Sequence, residues 1–155
     1  MKALDVPETV LARMAEHARA TYPEECCGLL IARPEEATEA EARTVIDALP
    51  LPNEFDGERR RRFLVRPEQL RAVEQRLDRR IGAVAGFYHS HPDHAARPSQ
   101  LDEENAWPWY SYVVIGLTAT RVRAVRGFEL DPRTEEFREV PLRAVTAHPR
   151  RPTMT

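Results

Sequence analysis

Apolar residues recur along this chain at two different periods. Between positions 7 and 21, Val10, Leu11, Met14, His17 and Ala18 return at helical spacing, with Pro7 suited to a first turn and Tyr22-Pro23 to a stop. A second stripe, Leu70, Val73 and Leu77, predicts a helix over 67–80. Short apolar or alternating runs predict strands over 26–31, 44–51, 63–65, 82–88, 111–117, 121–130 and 136–140. The alanine-rich charged stretch 34–41 reads as a surface turn, 52–61 as a loop, and 99–107 as a short helix. From position 148 the chain is rich in proline and arginine and reads as a frayed tail.

This mixture of helices and strands has no internal repeat and no linker. The expectation is therefore one domain over 1–147 followed by a tail over 148–155. Its fold class is α/β (α+β), with a mixed β-sheet flanked by helices. Composition changes little in that picture: 42% hydrophobic and 31% charged residues are ordinary for a globular chain. The formal net charge of -2 provides no field to attract nucleic acid or an acidic membrane. Lys2 is the only lysine, and codon bias accounts for the arginine excess. The run Arg59–Arg62 reads as a solvated loop, with an acidic patch on a protein substrate as its sharper alternative. No apolar stretch reaches signal-peptide or membrane-span length, and neighbouring Cys26 and Cys27 read as reduced thiols. Both point to a cytoplasmic protein.

The chemistry concentrates in Gly86-Phe87-Tyr88-His89-Ser90-His91-Pro92 and the later Ser99-Gln100-Leu101-Asp102. Residues two apart on an extended chain point to the same side, so the His89 and His91 imidazoles can converge while Ser90 points away. A loop brings Asp102 back across the strand end. Two histidines and one carboxylate, with a position left for water, is a common donor set for catalytic Zn²⁺. Ser99 with Asp102 three residues on also fits a helix capping box, which would mount Asp102 rigidly. His94 reads as a solvated loop histidine, with a fourth ligand or a substrate contact as its alternative.

His89-Ser90-His91-Pro92 with Ser99 and Asp102 resembles the motif of the JAMM (MPN+) metalloproteases. Glu25-Cys26-Cys27-Gly28 is similar to the upstream Glu-x-Cys-Gly of that family, a frame that selects Glu25 over Glu24. The small stand-alone prokaryotic members are the most similar, through Pro23–Leu30, Asn53 and Phe63–Pro67. The resemblance implies a cytidine-deaminase-like sheet, with Zn²⁺ on His89, His91 and Asp102. It implies Glu25 as general base and then acid, and Ser99 as the donor to the oxyanion. It also implies hydrolysis of a peptide or isopeptide bond after the Gly-Gly end of a ubiquitin-like or sulfur-carrier protein.

Two other readings compete. A catalytically silent MPN-type scaffold would work as a protein-binding domain, but such domains usually lack a histidine or the aspartate. A zinc deaminase asks for His-x-Glu and Pro-Cys-x-x-Cys, which His91-Pro92-Asp93 and Cys26-Cys27 do not supply. Trp107, Trp109 and Tyr110 read as core or as an interface, the latter in a homodimer.

Overall fold

Strand alternation sorts the apolar residues of this chain onto two faces of one sheet. The computed structural model describes residues 3–37 and 42–146. Its elements run β1 (Ala3–Pro7), α1 (Glu8–Thr21), β2 (Cys27–Ala32), a 3-10 turn (Pro34–Glu36), β3 (Ala42–Leu51) and α2 (Pro67–Arg76). They continue with β4 (Ala83–Pro92), α3 (Gln100–Glu104), β5 (Ser111–Leu117), β6 (Val122–Leu130), β7 (Phe137–Val140) and β8 (Leu142–Val145).

The eight strands form one sheet in the order β7-β6-β5-β4-β2-β3-β1-β8. It is mixed, because β1 runs parallel to both β3 and β8, and β4 parallel to β5. Its two outer strands are joined only by Pro141, so the sheet must curl until its edges meet there. Leu4 N–H donates to Pro141 O at 2.8 Å across that seam.

Helix α1 sits on one face. Its Val10, Met14 and Ala18 pack with Leu30, Ala48, Tyr88, Val113 and Ile115. Burying each large side chain of that stripe stabilises the packing by about 1.5–3 kcal/mol. Leu29, Ile31 and Ile46 point to the opposite face and meet Leu70 and Val73 of α2. One bulky residue decides how β2 and β4 meet. A Cβ at Gly28 would fall 2.2 Å from the Tyr88 ring, so glycine is needed for that ring to cross β2. The Tyr88 hydroxyl then lies 2.8 Å from His17 Nδ1, tying α1 to the strand just before His89.

Several sequence expectations change. Strands β1 and β8 were not anticipated; both are short and at one edge of the sheet. Residues 63–65 form no strand, because Leu64 N–H donates to the Asn53 side chain instead of to a ladder. Helix α2 ends at Arg76 rather than Arg80: Leu77 turns extended and is buried with Leu29 and Ile31. Helix α3 is five residues long rather than nine. Residues 38–41, part of the expected surface turn, and the tail from 148 lie outside the described residues.

Candidate metal centre

The antiparallel register of β2 on β4 sets Cys27 opposite His89, which carries Glu25, two residues earlier, to the level of His91. Ser90, on the other side of the strand, is fully buried and its Oγ accepts from Cys26 N–H at 2.8 Å. That bond continues the β2–β4 pairing past the last ladder residue and fixes the chain carrying Glu25. Asp102 arrives from the opposite direction on α3. Ser99 Oγ accepts from Asp102 N–H at 3.1 Å, while Asp102 Oδ2 accepts from Ser99 N–H at 2.7 Å. The predicted capping box is therefore present.

These elements bring three atoms to one point. His89 Nε2 and His91 Nε2 lie 3.2 Å apart, and Asp102 Oδ2 lies 3.1 and 3.3 Å from them. Three electronegative atoms this close require shared protons or a cation between them. Tetrahedral ligands at about 2.0–2.1 Å from Zn²⁺ are separated by about 3.3 Å, so the triangle has the right size for that ion. His91 Nδ1–H donates to Ala95 O at 3.3 Å, which leaves Nε2 bare toward the cluster in the neutral ring. The ligand atoms of Glu25, His89 and His91 all lie within 4.8 Å of one another, so Glu25 also borders the cluster. The shorter Asp102 distances make Asp102 the better third donor and leave Glu25 at the border of the cluster.

Electrostatics sharpen the division. Burial pushes the Glu25 carboxyl up to about 8, with His91 opposing and Asp102 adding to that push. Burial alone would raise Asp102, but the His89 and His91 imidazoles beside it hold its carboxyl well below the usual carboxylate range. Burial lowers His89, keeping that ring neutral. A neutral imidazole and an ionised carboxylate are the forms that bind a divalent metal.

One wall of the site was not foreseen as such. Phe63 stacks on His89, with ring centroids 4.5 Å apart. Beside it opens a cavity of about 330 Å³ bordered by His89, Asp102, Leu101, Leu64, Trp107 and Arg61. The Phe-x-Val-x-Pro pattern was the only signal for this wall in the sequence. Asn53 holds it: its Nδ2 donates to Glu25 O at 3.1 Å and Arg62 O at 3.0 Å, and its Oδ1 accepts from Phe55 and Leu64 N–H. On the far side, Tyr22 Oη donates to the Asp93 carboxylate at 2.8 Å and fixes the turn after Pro92. His94 is exposed and lines a different cleft, away from the three converging atoms. Cys26 and Cys27 are buried free thiols. Trp107 and Trp109 are about half exposed, at 54% and 49%.

The family model for prokaryotic homologs of the JAB domain matches residues 7–127. The chain belongs to the prokaryotic JAB-domain family. This JAB domain is 34% identical over 113 residues to the desampylase of Haloferax volcanii, covering 72% of this chain and 76% of that protein. It is also 34% identical over 107 residues to the tail tip assembly protein K of an Escherichia phage, covering 66% of this chain but 37% of the phage protein. A solution structure from Desulfitobacterium hafniense matches with a TM-score of 0.74 at 28% identity, over 93% of this chain and 94% of the other. A JAB1/MPN-domain protein from Archaeoglobus fulgidus matches with a TM-score of 0.50 at 18% identity, over 92% and 99%, and shares the fold. No helix among the described residues is long and apolar enough to cross a membrane.

Proposed function

We propose that this JAB domain is a zinc-dependent metallo(iso)peptidase, hydrolysing a peptide or isopeptide bond. Its bond is the one after the Gly-Gly C-terminus of a ubiquitin-like or sulfur-carrier protein. One observation carries the reading: the 3.1–3.3 Å triangle of His89, His91 and Asp102 stands beside a buried carboxylic acid, Glu25. Similarity to a desampylase supports the substrate class.

His89 Nε2, His91 Nε2 and Asp102 Oδ2 would hold the ion. Zn²⁺ held there supplies Lewis acidity, polarising the scissile carbonyl and lowering the pKa of water. Glu25 takes the proton from the attacking water and returns it to the leaving amine, a role suited to a carboxyl raised toward neutrality by burial. Ser99 Oγ already accepts from the Asp102 backbone, so its own hydrogen is free for the developing oxyanion. Phe63 stacks on His89 and covers that side of the ring.

The test is incubation of the zinc-loaded protein with a carrier-protein fusion joined through Gly-Gly, read by mass spectrometry. Cleavage after the second glycine, lost in Glu25→Gln, is expected. A zinc-loaded protein that leaves every such fusion intact overturns the reading. Absence of stoichiometric zinc after purification in zinc-containing medium would instead favour a silent scaffold.

A further inference from the structure

The run Arg59–Arg62 is anchored beside the candidate metal centre. Arg59 O accepts from Glu25 N–H at 2.7 Å, and Arg62 O accepts from Asn53 Nδ2 at 3.0 Å. The same Asn53 amide holds Glu25 O, so both ends of the run hang on the segment carrying Glu25. The side chains are held as well as the backbone. Arg59 Nε donates to Phe55 O at 3.0 Å, and the Arg62 guanidinium lies 4.7 Å above the Phe55 ring. Arg61 and Arg62 border the cavity that His89 and Asp102 also line.

Four cations stand together here, two of them with held side chains, and none pairs with a carboxylate among the described residues. Glu54 pairs with Arg66, and Glu58 spends an oxygen on the Arg60 backbone N–H. Among the described residues no carboxylate lies within 4.0 Å of an Arg59–Arg62 guanidinium. All four arginines are exposed, so water and mobile ions screen them in part, and an acidic ligand would relieve the repulsion that remains.

We infer that the Arg59–Arg62 rim binds an acidic segment of the protein substrate, upstream of its Gly-Gly. This rests on the isopeptidase reading for its orientation: Glu25 protonates the leaving amine, so the cavity that His89 and Asp102 line, and Glu25 does not, lies on the acyl side. A protein segment fits better than nucleic acid, because the rim is a single short run on a chain of net charge -2.

The test is equilibrium binding, which does not depend on turnover. Dye-labelled peptides ending in Gly-Gly, one with three acidic residues upstream and one with serines there, are titrated with zinc-loaded protein and followed by fluorescence anisotropy. The acidic peptide should bind about tenfold tighter, and the ratio should shrink as salt rises. Arg60→Glu/Arg61→Glu should lose that preference and favour a peptide with three lysines instead, a rescue that a folding defect cannot produce. Equal binding of the acidic and serine peptides overturns the inference, as does equal competition by an oligonucleotide of thymidines. Loss of fusion cleavage with the acidic preference intact counts against the isopeptidase reading alone.

Discussion

Two of the places where charged side chains leave water in this fold are built in opposite ways. Arg43 is 2% exposed, and its donors are met one by one by acceptors. Its Nη1 donates to Ala85 O at 3.1 Å and Ser111 Oγ at 2.8 Å, Nε to Glu36 O at 2.9 Å, and Nη2 to Ala37 O and Trp109 O. At the metal centre the acceptors face each other instead. Such an arrangement is costly unless something positive lies between, whereas a satisfied network only rigidifies. The Arg43 cluster joins β3, β4 and β5 and stabilises the sheet. The His89 cluster is the one whose stability would depend on a bound cation.

The sharpest way to break this contrast is Arg43→Met. It leaves several buried acceptors without a donor and should cost about 3–5 kcal/mol, measured by denaturant unfolding, with no recovery on adding zinc. Full stability in that variant would mean the two clusters are alike.

Glu25→Gln tests the other side. It should retain zinc by elemental analysis while kcat falls about 10²- to 10⁴-fold, since proton transfer alone is removed. Loss of zinc in that variant would move Glu25 into the ligand set.

Chelation should lower the unfolding free energy by about 3 kcal/mol when zinc was present at about 100 times its dissociation constant. His89→Ala should show no such response to chelator, and Arg43→Met should show the full one. A thermal shift in His89→Ala as large as in the wild type would break the assignment of this cluster to metal.

Ser99→Ala should have the smallest effect on stability, about 1 kcal/mol, because it removes one helix cap while Asp102 keeps its bond from the Ser99 backbone. Ser99→Asp, which restores a capping acceptor but no donor, should recover that stability without recovering turnover.

What could be read in advance follows the range of the forces involved. His89 and His91 share a face because strand side chains alternate, a local rule that needs no neighbour. Ser99 and Asp102 read as a capping box for the same reason, since both partners lie within one turn. Helix α1 and strands β2, β4, β5 and β6 carried enough apolar pattern to be placed to within a few residues. Strand β4 runs further than expected, through Pro92, so both histidines are ladder residues within its last four positions.

Glu25 became legible only through its Glu-x-Cys-Gly frame; without that frame it reads as one of two charged residues before a strand. Its place comes from the register of Cys27 on His89, and register is a contact between segments 62 residues apart (89 minus 27). Residues 63–65 have strand-like side chains, yet Asn53 takes the backbone bond that a neighbour would have offered. The arginine run reads as a free loop because its distant anchor cannot be seen locally: Glu25 holds one end, and Asn53, which also holds Glu25, the other.

The sequence by itself therefore determined the donor types and their local facing: two imidazoles on one strand face and a carboxylate on a capped helix start. Tertiary structure alone decided that the three atoms meet at 3.1–3.3 Å, that Glu25 is buried beside them, and that Phe63, Arg61 and Arg62 border the adjoining cavity. The reason is that periodicity acts within a few residues, while convergence and desolvation depend on which distant segments the curled sheet and the Asn53 bonds bring together.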